Sequence, residues 1–308
     1  MNSLYRTVGI SKQAVYKYQK QQVEMEQKLS DLVIEADLIK IEHPGCGVEK
    51  LYYTLEPKWL GRDKFIDYFM NLGYRVKRIR NYIRTTIPVD SKYQNFISGM
   101  LLNDRNQVWQ TDITYYHVGH RFYYITFIID VYTKKIVSYQ VSDNLRAEAN
   151  LKALRQALKM NKGAIDGLIH HSDRVSQYTK RYTGLLAKNG VSISMGKKAQ
   201  DNAYAERING IIKNEYLAYK EITGLNELKK EVKKAVKHYN NKRLHRNLSK
   251  WNTPIQFEEK LVHLSDQNRP KELVYAEENC KIKKASSFLN FRPEIEPQKK
   301  VSPIICNY

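Results

Sequence analysis

The segment RFYYITFIID (residues 121–130) constrains the fold of this chain more than any other stretch. Almost every position is apolar, aromatic or β-branched, over a length too short for an ordinary buried helix, which describes a strand covered on both faces. Turn sequences bound it, HVGH (117–120) before and VYT (131–133) after, and beyond them VWQTDITYY and KKIVSYQV alternate as half-buried strands do. The three segments predict an antiparallel meander with its middle strand inside.

Beyond the meander the chain alternates between helix and strand. Residues 144–160 place Leu151, Leu154 and Leu158 on one side of a helix; GLIHH (167–171) reads as a short strand; a helix is expected around Tyr178–Lys188; VSISM (191–195) reads as another strand; and a further helix starts near Ala203. Three antiparallel strands succeeded by this alternation predict an α/β fold with a mixed, ribonuclease H-like sheet.

Acids interrupt that pattern at three places. Asp112 shares a strand face with Gln110, Thr114 and Tyr116, opposite Trp109, Thr111, Ile113 and Tyr115. A carboxylate there is costly without a cation or an open cleft beside it. Asp173 comes just after the fourth strand, in HHSDRVSQY, where it reads either as a helix cap or as a metal ligand. In DNAYAERINGIIKNEYL, Ile208, Ile211 and Ile212 form one helical face, leaving Glu206 and, two turns on, Lys213 on the other. Each acid alone has an ordinary explanation as an edge-strand polar residue, a cap or a surface acid. Together, on strand one, strand four and the last helix, they form the oxygen donor set that two Mg²⁺ or Mn²⁺ ions use for in-line phosphoryl transfer. Asp130 reads as a turn acid or a support behind the site. His170 and His171 lack a cysteine or second histidine pair to make a transition-metal site, and His171 is expected to line the cleft. Tyr178 and Tyr204 stand near the acids as possible DNA contacts.

The charge names the kind of partner. With 52 Lys+Arg against 32 Asp+Glu, the net charge of +20 attracts polyanions, and counterion release makes nucleic acid the expected partner rather than a merely solvated surface. Three scattered cysteines, Cys46, Cys280 and Cys306, offer no zinc site. No apolar run is long enough to span a bilayer and no export signal is evident, so the expected location is the cytoplasm.

The basic N-terminal third reads as helical. Residues 1–42 are expected to form a short helix-turn-helix segment, with Gly9 in a turn, Ser11 as N-cap, and Ala14, Val15 and Tyr18 on a buried face. Residues 43–90 form the expected helix-turn-helix DNA-binding domain, with a break at Gly73 and then Lys77, Arg78, Arg80 and Arg84 on a helix suited to phosphate or groove contact. A linker at 91–107, a catalytic core at 108–264 and a tail at 265–308 without an assigned role complete the division. Within the core, residues 227–246 predict an amphipathic basic helix with Leu228, Val232, Val236 and Tyr239 inward and its lysines tracking phosphates.

VWQTDITYY, FYYITFIIDVYTKKIVSYQVSDN, IHHSDRVSQY, GKKAQDNAYAERINGIIKNEYL and HYNNKRLHRNLSKWNTPIQF resemble, in order, the blocks of bacterial insertion-sequence transposases with a retroviral-integrase-type core. The resemblance is to the OrfB class of the insertion sequence 3 family. It runs from about Asn106 to Glu258, and His43–Thr86 resembles the helical DNA-binding segment which that family carries upstream.

The resemblance implies that Asp112, Asp173 and Glu206 are the DDE triad and that Lys213 is the basic residue two turns after its glutamate. It favours the ligand reading of Asp173 over the cap. Element ends and target duplex DNA are the implied partners, contacted by Lys77, Arg78, Arg80, Arg84, Lys197, Lys198, Arg207 and Lys213. A homo-oligomer on DNA, and an OrfA partner or frameshift fusion, are implied as well. Two departures stand out: the Asp173–Glu206 interval is a few residues shorter than usual, and Val175 occupies a position where the family usually has glycine. The alternatives of the same fold are a metal-dependent nuclease without strand transfer and a DNA-binding regulator with an inactive core.

Overall fold

The computed structural model describes residues 9–76, 93–173, 179–196, 199–249 and 251–274. Its first element, α1 (Lys12–Glu42), is a single helix of 31 residues capped by Ser11, whose hydroxyl accepts from the Ala14 amide at 3.1 Å. The cap and the turn at Gly9, with a φ of +70°, match expectation; the residues before that turn lie outside the described ones, and within Lys12–Glu42 a second turn is absent. No glycine or proline falls between Gly9 and Pro44, so nothing in the chain ends the helix sooner. The expected buried face is absent too. Tyr18 is 62% exposed, Ala14 is also open to solvent, Val15 is only partly covered, and α1 buries only Leu32 and Ala36.

Those two residues meet α2 (Val48–Leu55) and α3 (Arg62–Asn71) in a small core with Cys46, Val48, Leu51, Phe65 and Phe69. The α3 helix ends at Gly73, whose φ of +85° is the left-handed setting that a residue without Cβ adopts freely.

A five-stranded sheet forms the centre, its strands in the order Ile136–Ser142, Arg121–Asp130, Val108–Val118, Ile169–Ser172, Ser192–Met195. Strands β2 (Val108–Val118), β3 (Arg121–Asp130) and β4 (Ile136–Ser142) form the antiparallel meander. From Ile125 to Asp130 every residue of β3 is buried, as its apolar run requires. Helix α4 (Ala147–Met160) then crosses over, and β5 (Ile169–Ser172) pairs parallel with β2. After α5 (Lys180–Lys188), β6 (Ser192–Met195) adds parallel to β5. Trp109 and Ile128 pack with Leu151, Leu154 and Leu158 of α4 on one face of the sheet. The other face, with Tyr123, Ile125 and Phe127, is covered by α6 (Ala203–Ile211) and α7 (Leu225–Asn241), and α7 turns Leu228, Val232, Val236 and Tyr239 inward as its period predicts.

The stretch expected to be a linker is partly built into the core. Ile97 and Leu102 are buried with Val108, Tyr132 and Phe257, and β1 (Leu101–Leu102) pairs with β7 (Glu272–Leu273) beyond α8 (Pro254–Val262). The start of the expected tail thus supplies a strand, and Val274 is buried in the same cluster. Apolar residues in otherwise polar, aperiodic segments carry these contacts, which is why pattern alone did not place them.

Candidate active site

Strand pairing brings the first two acids together. The parallel register of β2 and β5 matches Thr111 with Ser172, so the next residues along, Asp112 and Asp173, leave the paired segment side by side. The third acid arrives on α6, whose amino end is tied to β2 by side chains. The Gln110 amide oxygen accepts from the Ala205 amide at 3.2 Å while its nitrogen donates to the Asp201 carbonyl at 2.9 Å. The Asn202 side chain donates to the Thr111 carbonyl at 3.0 Å. Gln110 thus satisfies an amide of the first turn that the helix itself leaves unbonded.

Asp112 is held at both oxygens. Oδ1 accepts from the Ile113 amide at 2.9 Å, and Oδ2 accepts from Asn209 Nδ2 at 2.6 Å. Asn209 is buried one turn beyond Glu206 and joins the helix carrying one acid to the strand carrying another. The Asn209 Oδ1 and Asp173 Oδ1 atoms are both buried without a hydrogen-bond partner. Sequence reasoning missed Asn202 and Asn209, and it did not give Gln110 its role, because their partners lie far away along the chain.

The electrostatics record like charges bearing on the two enclosed aspartates. Burial, then the charges of Asp173 and Glu206, push the Asp112 carboxyl up to about 8 against the two hydrogen bonds that favour its ionised form. Burial and Glu206 raise Asp173 to about 6, and burial raises Glu206 as well. Asp112 as a residue keeps some exposure, but its carboxyl group is enclosed. Burial lowers the Lys213 ammonium while the charge of Asp112 raises it, which places Lys213 within electrostatic reach of the acids. Its Nζ lies 5.5 Å from the centre of the Tyr115 ring.

These donors suit a hard divalent cation. All are carboxylate oxygens, one is orphaned, and each acid resists ionisation for want of a compensating positive charge. Among the described residues, no group of three or more His, Cys, Asp or Glu side chains is drawn close enough to enclose an ion. The acids therefore converge without being closed around a centre.

Other expectations resolve differently. Asp130 is a turn acid: its Oδ1 accepts from the Thr133 amide and hydroxyl and its Oδ2 from the Asn106 amide. His171 does not line the cleft. It is fully buried against Ser194 Oγ at 2.9 Å, because the β5 side chains here point into packed sheet faces. His170 is buried against the Tyr182 hydroxyl at 2.9 Å, and burial lowers the two imidazoles, His170 to about 3 and His171 to about 4. Tyr204 is turned towards Glu272 and Lys134 rather than left free for DNA. Arg207 is exposed beside Glu206. Lys77, Arg78, Arg80, Arg84, Val175, Tyr178, Lys197 and Lys198 lie outside the described residues.

A ribonuclease H-like sheet with acids on its central strand, at the carboxyl end of the next strand and on the covering helix is an arrangement suited to phosphoryl transfer. Comparison with known proteins agrees. Residues 103–200 and 189–254 each match a family model described as "Integrase core domain". The "Insertion element IS600 uncharacterized 31 kDa protein" of Shigella sonnei is 31% identical over 82% of this chain and 96% of its own length. The "Transposase for insertion sequence element IS629" of Shigella sonnei is 36% identical over 53% of this chain and 55% of its own length. Among solved structures, the HTLV-2 integrase catalytic core domain superposes with a TM-score of 0.40 at 18% identity, covering 54% of this chain and 99% of that one.

The chain belongs to the insertion-sequence transposases with an integrase-type DDE core, of the insertion sequence 3 kind. It is a DNA transposase, and its chemistry is the integrase type, which works on DNA with a divalent cation.

Proposed function

We propose that this transposase cleaves the ends of its own insertion sequence and uses each freed 3′-hydroxyl to attack a second phosphodiester, with Asp112, Asp173 and Glu206 as metal ligands. The observation that carries this reading is the β2–β5 register, which sets Asp112 beside Asp173 under the helix bearing Glu206. Mg²⁺ or Mn²⁺, as a pair, would supply activation of the attacking oxygen and charge stabilisation at the leaving one. Asn209 keeps the Asp112 carboxylate turned into the cleft, and Gln110 fixes the start of the Glu206 helix against the same strand. Lys213, near Asp112 and over Tyr115, serves as a contact to the phosphate next to the scissile bond.

The exposed Arg207, together with Lys77, Arg78, Arg80, Arg84, Lys197 and Lys198, completes the proposed DNA contacts. The protein acts as a homo-oligomer on duplex DNA, with an OrfA partner or fusion contributing end recognition, and the helical unit before residue 91 binds the element ends. The test is incubation of the purified protein with the inverted repeats that flank its reading frame, a plasmid target and Mg²⁺ or Mn²⁺. Covalently joined products support transposition. Cleavage with only hydrolysed ends would instead assign a nuclease, and metal-independent binding without cleavage would assign a regulator.

A further inference from the structure

Six residues beyond Glu206 the helix opens into a π turn, Ile212–Tyr216, which contains both Lys213 and Glu215. Such turns hold one backbone setting against a competing α-helical one and need local contacts to persist. Glu215 supplies them. One carboxylate meets side chains from three parts of the chain. His43 Nε2 lies 2.7 Å from Oε2, Lys50 Nζ lies 3.1 and 3.2 Å from the two oxygens, and Arg243 donates at 2.8 Å through both Nε and Nη2. His43 and Lys50 belong to the helical unit, and Arg243 lies just past α7.

The backbone and the neighbouring ring join in. The Gly45 amide donates to the Glu215 carbonyl at 2.8 Å, and a Cβ on Gly45 would stand 2.4 Å from Glu215 Cα, so only glycine permits this approach. The His43 ring stacks on Tyr216 with centroids 4.7 Å apart and planes 6° from parallel. Lys213, two residues before Glu215, faces the other way, over Tyr115 of β2. Burial opposes the charge on Glu215, but bonds from His43 and Arg243, then the charges of Arg243 and Lys50, hold its carboxyl far below the ordinary carboxylate range. This is the most heavily compensated acid described in the molecule, and the acids of the cleft have no share in it.

We propose that Glu215 is a positioning residue for Lys213: by clasping the His43–Lys50 segment and Arg243 to the π turn, it couples the docking of the helical unit to the setting of Lys213 in the cleft. A helical unit that shifts on DNA must then move the turn, and a turn that relaxes must release the unit. The role assigned to Lys213 rests on the transposase reading; the coupling itself does not.

The experiment has two arms on the full chain. In the first, amide hydrogen exchange is measured without DNA for the wild type, Glu215→Gln and Gly45→Ala, the last of which alters no charged group. Each variant is expected to exchange about ten-fold faster or more at residues 212–217 and also at 43–50, with β3 and β4 unchanged. Should both variants fail to fold, Lys50→Met, which removes one donor, decides by the same pattern. Faster exchange confined to 43–50, with the π turn at the wild-type rate, overturns the coupling.

The second arm is a double-mutant cycle on the joining of precut element ends to a plasmid. Lys213→Ala is expected to slow joining about ten-fold or more in the wild type and less than about two-fold in Glu215→Gln, because a misplaced lysine has nothing left to lose. Losses that simply multiply would mean that Glu215 acts by stability alone. A wild type that joins no DNA would sink the transposase reading, and the exchange arm would still decide the clasp.

Discussion

Replacing Asp112 by asparagine should stabilise the metal-free protein even as it removes a ligand. The Asp112 carboxyl titrates at about 8 rather than 3.8, because its charge is buried beside Asp173 and Glu206. The unfolded chain therefore releases this proton near pH 4 while the folded chain keeps it until about pH 8, and the folded state loses stability as pH rises across that window. Fully realised, a rise of that size corresponds to about 5–6 kcal/mol at 1.36 kcal/mol per pH unit. The residue keeps some exposure and the cleft admits water, so about 2–3 kcal/mol is the expected effect at pH 8.

Asparagine also fits the local bonding. Its Oδ1 can keep the Ile113 amide, and once the Asn209 amide turns over, its NH₂ can donate to Asn209 Oδ1, which lacks a partner in the native site. In EDTA at pH 8, Asp112→Asn should melt about 5 °C or more above the wild type, the difference shrinking towards zero as pH falls to 4. Saturating Mg²⁺ should reverse the order, since it stabilises only the protein that binds it. A variant that melts at or below the wild type at pH 8 in EDTA, or whose advantage is the same at pH 5, would show that the acids are not held against their own repulsion.

Asp173→Asn and Glu206→Gln should each abolish cleavage and joining while leaving end binding, measured by gel shift, within about two-fold; turnover retained in either variant removes that residue from the site. Lys213→Ala should slow strand transfer about ten-fold with only a small change in melting temperature, and a lowered melting temperature with unchanged joining would make Lys213 a packing residue. The resemblance implies glycine at position 175, and wherever such a glycine serves a positive φ, valine costs about 1–3 kcal/mol. Val175→Gly should therefore raise the joining rate or lower the metal concentration it needs, and superimposable metal titrations would show that valine carries no such cost.

The parts legible in the sequence were those written as local pattern. The continuous apolar run of β3 and the alternation in β2 and β4 announced the meander, and a carboxylate within such a strand drew attention to itself because burial there is costly. Ser11 announced a helix start, and it is one. The sequence holds no glycine or proline from there to Pro44, which agrees with the unbroken run of α1. Tyr18 stands in solvent although its spacing predicts a buried face, because apolar spacing describes a face without saying what covers it. Least legible were polar residues with distant partners. Nothing near Glu215 in sequence points to His43, 172 positions away, and nothing near Asn209 points to Asp112, 97 positions away.

The cleft itself arises from a mismatch in strand length. β2 has eleven residues and β5 has four, so the parallel pairing stops at Thr111 and Ser172 while β2 runs on to Val118. On its other edge β2 stays paired with β3 along its length, so the strand is held rigidly even where one flank is open. At β2 the sheet changes from antiparallel to parallel pairing, and ligand sites of α/β sheets form beyond the carboxyl ends of strands, where neighbouring chains diverge. Asp112 is the first β2 residue beyond the shared pairing, and Asp173 is the first residue to leave β5. Extending β5 by two more paired residues would close the notch and turn both acids into sheet neighbours without an opening. Helix α6, its start tied to β2 through Gln110, carries Glu206 to the same end of the strand pair.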